Sequence, residues 1–248
     1  FSRSGSEWFS NDFLTIKYNS SVILQWTKKY NGPGNSTDRA YKIVTDSTGN
    51  SIYVSGSSTG INTSLDLTTI KYNGAGDEQW VSRYDGSQHT SDGAVDMKLD
   101  MNSNLYATGF CNLVDTLQKS DLVTIKYDGA GVKQWVVLYE GPVSNALDMP
   151  ASIAVSNISS DVFVTGTSMG SDFSYDILTL RYNTIGVLLS TSRYNGPDSL
   201  SDFGAQLALD KSDYAYITGS SYDTTSGVDC VTLKLSTTIV NVVRYDGL

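Results

Sequence analysis

One eight-residue phrase returns five times along this chain of 248 residues: NDFLTIKY at 11–18, LDLTTIKY at 65–72, SDLVTIKY at 120–127, YDILTLRY at 175–182 and VDCVTLKL at 228–235. Its second residue is Asp12, Asp66, Asp121, Asp176 and Asp229, at steps of 54, 55, 55 and 53. A unit of that length cannot bury its apolar surface alone, so successive copies must stack. Other columns keep the same step. Trp26, Trp80 and Trp135 follow the first three aspartates, and Ser190 holds the fourth place. Tyr30, Tyr84, Tyr139, Tyr194 and Tyr245 each precede a turn, and Gly56, Gly109, Gly166 and Gly219 end β-rich runs such as IYVSG and VFVTG.

Each unit reads as four short strands. In one copy these are 40–45, 51–55, 67–72 and 79–84, joined by turns such as Asp46–Asn50 and Asn73–Gly76. Alternation of period two between Asn/Gly/Asp turns is a hairpin signal, and no segment carries a helical period. Composition agrees. All but three of the 26 acidic residues are Asp, a turn former, and there are 22 Gly and 16 Tyr. Four strands per repeat predict an all-β fold, a β-propeller of four-stranded antiparallel blades with about 4.5 repeats of ~54 residues. The expected organisation is a single repeat domain over 1–248: a half blade at 1–33, then blades at 34–86, 87–141, 142–197 and 198–248. Three readings of the half blade stand open. The chain is a piece of a longer propeller, a five-bladed ring with one reduced blade, or an open arc completed by another chain.

The columns DxxTIKYxxxGxxxW, RYxGPxxxxD and DxxGNxYVTGxS resemble the bacterial SBBP β-propeller repeat across essentially the whole chain. The third unit departs at Ser156, the fourth lacks the Trp and the fifth has Leu235 for the Tyr. The resemblance implies a secreted or cell-surface bacterial repeat protein. It implies little about activity.

A residue present once per blade serves folding more often than chemistry. The five aspartates and the cations five residues later (Lys17, Lys71, Lys126, Arg181 and Lys234) therefore read as structural, bonded to backbone or paired between blades. Asp38, Asp92, Asp148 and Asp202 precede the inner strands. Converging at a channel mouth they would bind calcium, which takes ~6–8 oxygens; the simpler reading is that each caps a turn through nearby amides. The turns at Asp46, Asp100 and Asp210 lack the calcium-loop pattern. His89, the one histidine, reads as a solvated loop residue without a GxSxG elbow to serve. Cys111 and Cys230 fall in different blades and supply neither a CxxC site nor an expected bridge. Asn19, Asn35, Asn62 and Asn157 begin N-x-S/T triplets, which matter where the source glycosylates.

A net charge of −9 argues against nucleic acid. No apolar run spans a bilayer and no leader pattern is seen. Loops are short; the one modest insertion, 111–119, leaves little with which to build a pocket. The expectation is a non-enzymatic extracellular structural or interaction propeller with no catalytic residue, no cofactor unless calcium, and a protein partner or its own copies as ligand. Self-assembly would run through the incomplete blade. A lectin-like glycan binder using Trp26, Trp80 and Trp135 is the alternative, and a glycosidase is the third reading.

Overall fold

The computed structural model describes residues 11–114 and 119–246. The start of the expected half blade, residues 1–10, and residues 115–118 of the insertion lie outside them. All the described regular structure is β, in one two-stranded and four four-stranded antiparallel sheets. The small sheet is β1 (Phe13–Tyr18) and β2 (Leu24–Tyr30). The first blade is β3 (Asp38–Thr45), β4 (Ser51–Thr59), β5 (Leu65–Asn73) and β6 (Glu78–Tyr84). The second is β7 (Ser91–Leu99), β8 (Leu105–Val114), β9 (Lys119–Tyr127) and β10 (Lys133–Tyr139). The third is β11 (Asp148–Val155), β12 (Val162–Met169), β13 (Tyr175–Tyr182) and β14 (Leu188–Tyr194). The fourth is β15 (Asp202–Leu209), β16 (Ala215–Asp223), β17 (Gly227–Leu235) and β18 (Ile239–Tyr245). The fold is a β-propeller. The second and third strands of a blade run several residues beyond the segments read from sequence, because their hairpin continues pairing past the Gly column, as in Thr59↔Leu65.

Strands β3, β7, β11 and β15 follow one another along the inside, each beside the next. Asp96 of β7 stitches three of them, pairing with Lys42 and accepting from Ser152 Oγ and Ile153 N. Each inner strand carries a bulge at the same place, between Ala40 and Lys42, Ala94 and Asp96, Pro150 and Ser152, and Gly204 and Gln206. Opposite each bulge stands a glycine of the column Gly56, Gly109, Gly166 and Gly219. A Cβ there would lie 1.9–2.2 Å from an inner-strand carbonyl oxygen. The bulge, which re-aims the inner strand, therefore dictates the glycine.

Apolar side chains fill the spaces between blades. One cluster joins Tyr53, Leu67, Trp80 and Tyr84 to Met97, Leu105, Val123, Ile125 and Tyr127 of the next blade, and three others repeat it. The middle strands of interior blades are buried on both faces, so β4, β5, β12 and β13 read as nearly continuous buried runs. The end sheets differ. In β1, Phe13 and Thr15 are buried while Leu14, Ile16 and Tyr18 are exposed. In β17 the equivalents of the latter, Val231, Leu233 and Leu235, are buried, while Cys230 and Thr232 are exposed. Among the described residues the two end sheets thus leave opposite faces uncovered. This also explains the cysteines. Both are free; Cys111 is buried, but Cys230 is exposed, because no described sheet covers its face.

Candidate functional site

Two sets of polar contacts recur between blades. The first is a clip at the turn joining the third and fourth strands. Lys17 Nζ and Trp26 Nε1 donate to the Gly74 carbonyl at 2.8 and 3.2 Å. Lys71 and Trp80 do the same to Gly129 (3.1 and 3.3 Å), and Lys126 and Trp135 to Thr184 (3.0 and 3.1 Å). Each indole also packs on Tyr72, Tyr127 or Tyr182 of the next blade. The ring lies so close to Gly76, Gly131 or Gly186, all at positive φ, that a Cβ would fall 2.5–3.0 Å from it. The tryptophans that would serve as glycan platforms are therefore held in the junctions. At the fourth junction Ser190 replaces the Trp, Leu235 replaces the Tyr, and the facing turn is Ser236–Thr238 without glycine. Arg181 there turns back to Asp161 of its own blade and stacks over Phe163.

The second set lies at the opposite corner. Each of the four aspartates weighed between calcium and a turn cap clasps the turn of the preceding blade. Asp38 accepts from Gly32 N (2.8 Å) and Thr59 N (3.2 Å), and Asp92 from Gly86 N (2.6 Å) and Asn112 N (2.8 Å). Asp148 accepts from Gly141 N (2.7 Å) and Asp202 from Gly196 N (2.6 Å). The four stand one per blade, fully buried; Asp38 and Asp92 hold an amide on each oxygen, while Asp148 Oδ1 and Asp202 Oδ1 have no hydrogen-bond partner among the described residues. The leading aspartates find their cations on the fourth strand rather than five residues on. Arg83 grips Asp66 through Nε and Nη2 (3.1 and 2.9 Å) and also donates to Ser58 and to Tyr30 Oη of the preceding sheet. Arg193 repeats this with Asp176, Ser168 and Tyr139, Arg244 binds Asp229 and Asp223, and Lys29 pairs with Asp12. The signal was the Arg before the column Tyr, at 83–84, 193–194 and 244–245.

The second junction breaks the pattern. Leu138 stands where the arginine should be, Cys111 replaces the serine, and Asn112 Nδ2 serves Asp121 instead (2.8 Å). The histidine lies here too: His89 Nδ1 is 2.5 Å from Asp85 Oδ2. Asp66, Asp85 and Asp92 bring carboxylate oxygens within 4.8 Å of one another, the one such acidic group among the described residues. Burial, with the Asp85 and Asp66 charges adding to it and the two amides opposing it, raises Asp92 to about 6. Asp148 and Asp202 are also raised by burial, opposed first by the Ser168 hydroxyl and Gly141 amide and by the Ser221 hydroxyl and Gly196 amide, and to a smaller degree by the Arg193 and Arg244 charges. Burial likewise pushes Cys111 and Tyr84 up, so neither thiol nor phenol is an activated nucleophile. Asp92 is wholly buried, out of a substrate's reach. Against calcium's ~6–8 oxygens, Asp66 Oδ2 is taken by Arg83 and both Asp92 oxygens by amides, while Asp85 Oδ1 has no partner. That donor set does not make a calcium cage. The turns suspected of calcium binding close on themselves, Asp46 Oδ1 accepting from Thr48 N and Asn50 N, and Asp100 and Asp210 likewise.

Residues 25–62 match the family model of the SBBP β-propeller repeat. The chain carries an SBBP repeat. Among solved structures the chain is similar to a glucose dehydrogenase (TM-score 0.52, 10% identity, 92% of this chain and 78% of that one). It is also similar to a thermostable family-43 glycoside hydrolase (0.48, 12%, 95% and 88%). A third is a fucose lectin from Kordia zhangzhouensis in complex with methyl-fucoside (0.36, 14%, 60% and 96%). At such identities the likeness is one of fold. No curated protein matches. No described helix is long and apolar enough to cross a membrane.

Proposed function

We propose that this SBBP-repeat chain is a non-enzymatic structural and interaction propeller of the extracellular space or cell surface, and that it self-assembles through its end sheets. One observation carries the reading. The end sheets expose, on opposite faces, repeat positions that interior blades bury: Ile16 and Tyr18 are 41% and 52% exposed, against 0% and 3% for their equivalents Ile70 and Tyr72. Neighbouring apolar side chains bared on one sheet face, Leu14, Ile16 and Tyr18, are the kind of surface that interaction sites use. The non-catalytic part rests on the polar columns, which are engaged in holding blades together. Their repetition along the chain reflects stacking rather than chemistry.

Size-exclusion chromatography with light scattering, over a hundredfold range of concentration, tests the reading. A mass rising in steps of the 26.9 kDa chain supports it. A single species of one chain mass at every concentration overturns it.

A further inference from the structure

The internal junctions state a rule about which faces fit. Where the fourth strand brings a Trp, the facing turn carries glycine at positive φ: Trp26 with Gly76, Trp80 with Gly131 and Trp135 with Gly186. Where the Trp is missing, at Ser190, the facing turn has no glycine. The two uncovered faces obey the second half of that rule. On β18, Asn241 pairs with Lys234 as Trp80 pairs with Lys71, so it holds the Trp place. On the first sheet, the turn Asn19–Ile23 has the same bonds as Asn73–Asp77, and Val22 holds the place of Gly76.

Val22 is itself a strained choice. It sits at φ 59°, a left-handed conformation that β-branched side chains avoid, where three equivalent turns use glycine. A Trp opposite it would collide with its Cβ, whereas an Asn leaves room. Lys234 is posed for the clip. Its ammonium stands 5.3 Å from the Tyr216 ring, as Lys71 and Lys126 stand 5.2 Å from Tyr53 and Tyr106, and also lies 4.1 Å from the Tyr214 ring, which it must leave to reach a carbonyl. Those two go on to a carbonyl in the next sheet; among the described residues Lys234 donates to none.

We infer that the uncovered face of β15–β18 seats on the uncovered face of β1–β2 of a second copy of this chain. Lys234 then reaches the Ser20 carbonyl, the counterpart of Gly74, Gly129 and Thr184, and Asn241 faces Val22. Cys230, which holds the place of Leu67 and Leu122, faces Leu14, which holds the place of Val123. The contact is head-to-tail, with two different surfaces meeting, so copies add end to end until the rotation closes a ring, or as a filament where it does not. It rests on the assembly reading above and specifies its joint.

The experiment uses the full chain with the exposed Leu14→Cys substitution, oxidised with a glutathione redox buffer. A disulfide between the thiol introduced by Leu14→Cys in one copy and Cys230 of the next gives a non-reducing ladder of chain multiples, absent from the Leu14→Cys/Cys230→Ser protein; buried Cys111 does not contribute. Asn241→Trp lowers assembly at least tenfold by light scattering, and adding Val22→Gly restores it. Assembly of the parent chain without that crosslinked ladder in the Leu14→Cys protein, or with Asn241→Trp unaffected, overturns this joint while leaving self-assembly standing. A parent chain that forms only Cys230–Cys230 dimers shows a face meeting itself and also overturns it. A parent chain that stays single overturns both.

Discussion

Lys71 and Trp80 share one acceptor, the carbonyl oxygen of Gly129 in the next blade, at 3.1 and 3.3 Å. The indole does two things at once, since it also packs between Tyr53 and Tyr127 at 5.9 Å from each ring. The two contributions separate by substitution. Trp80→Phe keeps an aromatic ring and loses one hydrogen bond, a loss of about 1 kcal/mol. Trp80→Ala removes the packing as well and costs about 3 kcal/mol, the lower end for aromatic truncation because the ring is partly exposed. Urea unfolding followed by circular dichroism ranks them; equal effects would mean that packing carries nothing here.

Gly131 is the other side of the same contact. At φ 82° an alanine costs about 1–2 kcal/mol for conformation alone. Its Cβ would also lie 2.5 Å from the Trp80 ring. Gly131→Ala is therefore expected to cost about 3 kcal/mol, falling to about 1–2 kcal/mol in a Trp80→Ala background, a coupling of roughly 1 kcal/mol or more in a double-mutant cycle. Gly129→Ala has nothing within 4 Å and serves as the control, with a change inside ~0.5 kcal/mol. Strict additivity between Gly131→Ala and Trp80→Ala would sink the account.

These contacts show what a repeat reveals and what it conceals. Period and turn residues locate every described strand, because alternation and Asn/Gly turns are local. The Gly56 column was visible as a column, but its cause, an inner-strand bulge, depends on pairing. The polar partners were hidden for the same reason. Lys17 finds Gly74 across a junction, and Asp66 finds Arg83 rather than Lys71, because strand neighbours and blade neighbours lie far apart in the chain. Ser190 and Leu235 looked like two separate lapses of the repeat. They face the same junction, so the loss of Trp on one blade goes with the loss of Tyr on the next. Leu138, in a column that otherwise holds Lys29, Arg83, Arg193 and Arg244, passed unread, and its effect on Asp92 needed the carboxylates in space.

Arg83 is the richest single connection in the corner network. It binds Asp66, Ser58 and Tyr30 together, and four-fifths of its side chain is out of water. Arg83→Met leaves the buried Asp66 carboxylate without its cation. The expected loss is about 2–3 kcal/mol, below the ~3–5 of a fully buried pair because Arg83 reaches solvent. Arg83→Lys recovers under half of it, since an ammonium cannot span the carboxylate, hydroxyl and carbonyl at once. Chemical denaturation of the three proteins measures this; full recovery by lysine would reduce the network to a point charge.

The second junction makes the opposite experiment possible, adding the cation that its sister corners have. Asp92 titrates near 6 in the fold against an ordinary 3.8, so the folded state holds its proton more tightly than the unfolded chain does. The linkage sign follows. Between about pH 4 and 6 the native state binds the extra proton, so folding stability falls as pH rises through that window and is level above it. Leu138 is 46% exposed and lies on the strand position of Arg83 and Arg193, so Leu138→Arg fits without burying a new charge. Its guanidinium would stand by Asp121 and near Asp92, favouring the ionised carboxylates. The Asp92 titration then moves down toward 4, and the loss of stability between pH 4 and 6 shrinks. Carboxyl-carbon NMR of Asp92, with urea midpoints at pH 4, 5, 6 and 7, reads both effects. If the Asp92 titration stays put in Leu138→Arg, the missing arginine is not what leaves this carboxyl so easily protonated, and burial with Asp66 and Asp85 suffices.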